Sequence, residues 1–228
     1  LKNKFVSFLL LCVSLGLGAQ TVRQAVGANG TNTVSFPATV AGNLNVIVAV
    51  PGHYSTIAGV SATDSKGQAY KLDGSCGTPD GDGYMCVFYV CSGAGGVVSA
   101  TVNGIDGIAA INFIEGQGTI ASGCAGTITT AAGTVAPCQI SLTPDQPHEL
   151  AIVGFATAGP ASSVNGNVNY SNQLDFGADP VATTITTSTA TLTVETDSGS
   201  PGCVNTDNEN PNGYNAVFAA FRTQPPSS

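Results

Sequence analysis

Apolar positions in this chain recur with a period of two, in short runs. From Leu44 to Val50 one face is Leu44, Val46, Val48 and Val50, and Ile47 and Ala49 leave the other mostly apolar. A strand buried on both sides reads this way. Tyr84 to Cys91 is a second core strand, with Tyr84, Cys86, Phe88 and Val90 on one face and Met85, Val87, Tyr89 and Cys91 on the other. Further strands are expected at 33–36, 97–102, 108–114, 149–156, 164–170, 182–195 and 214–221. Ile57 to Thr63 and Gln68 to Leu72 flank Asp64-Ser65-Lys66-Gly67 and predict a hairpin. Asn103-Gly104 and Asp106-Gly107 are expected turns. Residues 116–134 are small and polar, and predict a long loop.

No stretch predicts an amphipathic helix. The expected fold is all-β: a two-sheet antiparallel β-sandwich, jelly-roll-like and disulfide-stapled. A β-helix is the other all-β option, but no fixed-period repeat supports it. The strands at 44–50 and 150–156 share a texture, yet their neighbourhoods differ too much to read as a duplication.

Composition narrows the function classes. Of 228 residues 43% are hydrophobic, which excludes a disordered chain. Only 9% are charged, with a net charge of -8, so no basic patch for nucleic acid can form. Lys2 and Lys4 precede the apolar run Phe5 to Leu15, and Gly16, Gly18 and Ala19 are small. That is the pattern of a signal peptide over 1–19, leaving one domain over 20–228 and no transmembrane segment after cleavage. Arg23, Lys66, Lys71 and Arg222 then face all fourteen acids.

Cys12 falls within the leader. Cys76, Cys86, Cys91, Cys124, Cys138 and Cys203 remain, an even number that predicts disulfides in an exported chain. Cys86 and Cys91 point to opposite faces and need different partners. Cys124 with Cys138 is the preferred local pair, and Cys203 is expected to join Cys76, Cys86 or Cys91. No Cys-x2-Cys spacing supports zinc or thiol redox chemistry.

Phe36-Pro37, Gly42-Asn43-Leu44 through Val50, and Asp64-Ser65-Lys66-Gly67-Gln68-Ala69-Tyr70 resemble a recurring module of secreted bacterial proteins. Glu149 to Val153 and residues 214–221 are similar to its later strands. The resemblance implies a jelly-roll or lectin-like β-sandwich of the cell surface, and no catalytic residues.

Candidate chemistry is sparse. His53 and His148 lie in loops, and no Gly-x-Ser-x-Gly elbow accompanies them. Glu115, Glu149, Asp175 and Glu195 are the carboxylates a glycoside hydrolase would draw on. Asp80 and Asp82, and Asp207 and Glu209, are candidate calcium ligands, although neither loop completes the twelve-residue calcium pattern. Asn29 and Asn169 stand in glycosylation sequons. Lys66 or Lys71 is the available lysine for a Lys–Asn cross-link.

The expected function is a non-enzymatic secreted or cell-surface structural or adhesive protein that self-associates. The alternative is a carbohydrate-binding, lectin-like domain contacting surface glycan with a loop cation site. A secreted glycoside hydrolase ranks third. No cofactor is expected other than calcium at those loops.

Overall fold

The computed structural model describes residues 21–51, 57–73, 76, 85–117, 123–133, 138–145, 149–157, 161–166, 171–174, 181–186, 190–196 and 214–222. Among them there is no helix. The first eight strands are β1 (Thr21–Asn29), β2 (Thr33–Ser35), β3 (Leu44–Pro51), β4 (Ile57–Asp64), β5 (Ala69–Asp73), β6 (Cys86–Val90), β7 (Ser99–Ile105) and β8 (Ile108–Gln117). They form one antiparallel sheet in the order β1-β8-β3-β6-β5-β4-β7-β2. The sheet curls until β1 and β2 approach one another, so it is nearly closed.

The second eight are β9 (Ala125–Gly133), β10 (Cys138–Leu142), β11 (Glu149–Thr157), β12 (Ala161–Gly166), β13 (Ser171–Leu174), β14 (Val181–Thr186), β15 (Ala190–Thr196) and β16 (Tyr214–Phe221). They make a five-stranded sheet, β13-β14-β11-β16-β9, and a three-stranded sheet, β10-β15-β12.

Period-two alternation builds two cores. On β3 and β8 the rungs Ile47–Phe113 and Ala49–Ile111 point into the curled sheet, where Phe88, Val102 and Phe36 join them. Phe36 stacks on Phe113 with ring centroids 3.6 Å apart. The intervening residues Leu44, Val46, Val48 and Ile114 point outward and meet Leu150, Ile152, Ala219 and Phe221 of the five-stranded sheet. Tyr89 meets the Phe221 ring edge-on at 5.5 Å. The expected alternation of 84–91 is therefore observed over the described residues. Cys86 and Phe88 face one core, and Met85, Val87 and Tyr89 the other.

Several expectations change. The segment 116–134 is not one loop. β8 runs to Gln117, and residues 125–133 form β9 against β16. Its Thr, Ala and Gly carry little apolar signal, and pairing with β16 supplies the order that the side chains do not advertise. β1 escapes notice for the same reason. Asn103-Gly104 is not a turn but lies inside β7, where Gly104 has φ +81° and backs onto the Ala58 carbonyl. A Cβ there would sit 2.5 Å from that oxygen, so only glycine fits. The stretch 182–195 is two strands, β14 and β15, which belong to different sheets.

The preferred pairing of Cys124 with Cys138 is wrong. Cys124 is bonded to Cys91, and Cys76 to Cys86. Cys203 therefore has none of its three expected partners left. Residues 116–134 are not an excursion closed on itself, because β8 runs to Gln117 and 125–133 form β9. Once β9 is a strand, Cys124 stands at its entry, beside the exit of β6.

Asn112 is an exception to the apolar rule between the sheets. It shares its rung with Val48, is fully buried, and neither side-chain polar atom has a hydrogen-bond partner. Such an orphan costs about 1–3 kcal/mol.

Candidate functional site

Two acids that the sequence offers for hydrolysis, Glu115 and Glu149, are both fully buried. Their surroundings differ. Glu115 lies on β8 opposite Asn45 of β3 and Gln24 of β1. The β1 register shifts between Val22 and Gln24, and both Arg23 and Gln24 reach Glu115 from there. Oε2 accepts from Arg23 Nη1 at 2.5 Å and Gln24 Nε2 at 2.6 Å. Oε1 accepts from the Val40 amide at 2.8 Å and Asn43 Nδ2 at 2.7 Å. Arg23 and Gln24 also donate to the carbonyls of Ala38 and Pro37. Burial alone would raise the pKa of Glu115. The Val40 amide, Asn43, Arg23 and Gln24 outweigh it and hold the group below the ordinary carboxylate value. Both oxygens are engaged, so this carboxylate is a structural hub.

The motif residues of the secreted-module resemblance gather near that hub. Gly42 and Asn43 pair with Gly93 through backbone bonds of 2.9 and 2.8 Å. Asp64 Oδ1 accepts from the amides of Lys66 and Gln68, which fixes the hairpin turn. Tyr70 is buried close to Asn45 and Asp64. Burial, with the Asp64 charge adding to it, pushes its phenol above the ordinary value. Tyr70 and Tyr89 are both buried, so neither is an exposed platform for a sugar. Lys66 and Lys71 are exposed, and the Lys71 ammonium lies 5.4 Å from the Tyr89 ring centroid.

Glu149 opens β11. Oε2 accepts from the Asp145 amide at 3.1 Å, while Oε1 has no hydrogen bond and lies 3.7 Å from Arg222 Nε. Arg222, following β16, gives its Nη2 to Asp145 Oδ2 at 2.5 Å, and Thr127 donates to Asp145 Oδ1 at 2.5 Å. Gly126 leaves the room: a Cβ there would lie 2.8 Å from Glu149 Oε1. Burial raises the Glu149 pKa, the Asp145 amide opposes it, and the Asp145 charge adds to the rise. The net value lies above the ordinary one. Asp145 is held below its ordinary value by Thr127 and Arg222.

The linkage for Glu149 therefore has the opposite sign to that for Glu115. A raised folded pKa gives stability that is complete below the unfolded value and lost as pH rises through the folded value. Glu149→Gln mimics the protonated acid. It is expected to raise the thermal midpoint at neutral pH and leave it near the wild-type value at about pH 4, close to the ordinary Glu pKa. Parallel melts across that window check this, and a variant less stable at neutral pH would contradict it.

The other sequence candidates are placed as follows. Asn29 ends β1 and is exposed. Glu195 lies on β15 and Cys138 on β10, with backbone alone described. Cys203, His53, His148, Asp175, Asn169, the acids Asp80, Asp82, Asp207 and Glu209, and the leader 1–19 lie outside the described residues. Among the described residues, no group of three His, Cys, Asp or Glu is arranged to hold a metal ion. No sequence motif points to Glu115 as a hub. A buried acid is recognisable only once β1, β3 and β8 lie side by side.

These features define an all-β protein of antiparallel sheets, stapled by disulfides whose Cys86 and Cys124 ends are buried. Disulfides of this kind fit an oxidising compartment, and among the described residues no helix is long and apolar enough to cross a membrane. No family model, curated protein or solved structure matches the chain.

Proposed function

We propose that the chain is an exported, non-enzymatic β-protein with a structural or adhesive role in the extracellular space or at the cell surface. The observation that carries this is the pair of disulfides, Cys76–Cys86 and Cys91–Cys124, on a chain with a leader-like first segment. The condition of Glu115 supports a structural reading. Its carboxylate accepts four hydrogen bonds and is committed to holding the 37–43 segment.

The strand pairing supports a jelly-roll-like sandwich for residues 21–117. β1 pairs with β8, β2 with β7, β3 with β6 and β4 with β5. A long antiparallel hairpin rolled up on itself gives this nesting, and with it the two four-stranded runs β1-β8-β3-β6 and β5-β4-β7-β2.

Self-association is the testable part. Sedimentation of the oxidised chain is expected to show mass rising with concentration, with ordered assemblies in electron micrographs. A monodisperse monomer at every concentration would contradict the assembling role.

A further inference from the structure

The second eight strands repeat three of the four nested pairings of the first; the fourth differs, since β4 pairs with β5 while β12 and β13 lie in different sheets. β9 pairs with β16, β10 with β15 and β11 with β14, as β1 does with β8, β2 with β7 and β3 with β6. The sheet orders match as well. β9-β16-β11-β14-β13 follows the same sequence of places as β1-β8-β3-β6-β5, and β10-β15-β12 the same as β2-β7-β4. Four residues separate β4 from β5, and four separate β12 from β13.

The side chains follow the same plan. Taking the first paired rung of the third and eighth strands as a common origin, Leu44–Gly116 corresponds to Leu150–Phe221 and Val46–Ile114 to Ile152–Ala219. The inward rung Ile47–Phe113 then corresponds to Val153–Phe218, with phenylalanine at both places. The orphan Asn112 corresponds to Val217. The buried acids do not correspond: Glu115 lies on the eighth strand of its unit, opposite Asn45, while Glu149 lies on the third strand of its own.

The corresponding outward residues Leu44, Val46 and Ile114, and Leu150, Ile152 and Ala219, belong to one continuous core. The two halves therefore meet through the same face of each, which is the arrangement of an isologous dimer. We propose that the chain is two copies of one eight-stranded unit in tandem along the sequence, and that the β1-β8-β3-β6 face is a docking surface whose partner is the equivalent face of the second unit. Cys91, at the exit of β6, and Cys124, at the entry to β9, fasten the two units across this face. The single domain that the sequence pattern presents then divides between β8 and β9. This inference rests on strand pairing and packing, and is independent of the extracellular role.

Two measurements on the full oxidised chain test it. In NMR spectra, cross-strand Hα–Hα contacts are expected between β10 and β15 and between β11 and β14, the counterparts of the β2–β7 and β3–β6 pairings. Their absence would overturn the repeat. For the docking face, a protease site is set between β8 and β9 and cut, and Cys91–Cys124 is then reduced. The two pieces are expected to sediment together, and to separate into two lighter particles when Val46→Asp or Ile152→Asp is present. Pieces that part or precipitate without a substitution would overturn the docking face, as would variants that stay joined.

Discussion

Glu115→Ala is expected to lower the unfolding free energy at neutral pH by about 3 kcal/mol, the upper range for hydrogen bonds to a charged group. The carboxylate accepts four hydrogen bonds, from Arg23, Gln24, Asn43 and the Val40 amide. Truncation leaves the buried Asn43 side-chain amide and the Val40 amide without their acceptor, and it frees the 37–43 segment from β8. The same bonds give wild type a pH dependence. Because the folded pKa is lowered, this stability is complete above the ordinary Glu value and is lost as pH falls through the folded value. In the variant that acid limb flattens. Urea unfolding of both proteins at neutral and acid pH measures the two effects together. A loss below about 1 kcal/mol, the size of one ordinary hydrogen bond, would show that Glu115 is not a hub.

Removing Cys91–Cys124 by the double substitution Cys91→Ala and Cys124→Ala is expected to cost about 3–4 kcal/mol. The bond closes a loop between residues 33 apart in sequence, and chain entropy of the unfolded state grows with such a loop. The Cys76–Cys86 bond spans 10 residues, and its removal should cost less. The larger loss has a structural counterpart. Cys124 is buried in the core between the sheets, its carbonyl accepts the Arg222 amide, and its own amide donates to Cys91 Sγ at 3.3 Å. Losing the staple loosens the entry to β9 and the end of β16 together. Equal losses for the two bonds would count against this account.

Strands with strong apolar alternation were legible in the sequence. β3, β6, β11 and β16 fall where period two puts them, and the Asp64 turn forms the expected hairpin. β1 and β9 were not legible. Their residues are mostly small, and their order comes from pairing with β8 and β16. The same blind spot produced the wrong partner for Cys124. The repeat was hidden for a related reason. It is carried by strand order and by rungs such as Ile47–Phe113 and Val153–Phe218, while the long β5–β6 connection in one half and β15–β16 connection in the other blur any sequence period.

The candidate site was legible only as residue types. Glu115 and Glu149 stood out as acids beside strands, but acids on strands look alike in a sequence. What separates them is the set of groups that arrive from elsewhere: Arg23, Gln24, Asn43 and Val40 at one, Asp145, Gly126 and Arg222 at the other. Those partners lie up to 92 residues away in the chain.

The proposed exported role requires that Cys76–Cys86 and Cys91–Cys124 form. Peptide mapping without reduction, on chain recovered from the exported fraction of producing cells, tests this most directly. Cross-linked peptides joining Cys76 to Cys86 and Cys91 to Cys124 are the predicted result. Free thiols at these four positions, a Cys124–Cys138 peptide, or chain retained in the cytoplasm would contradict it.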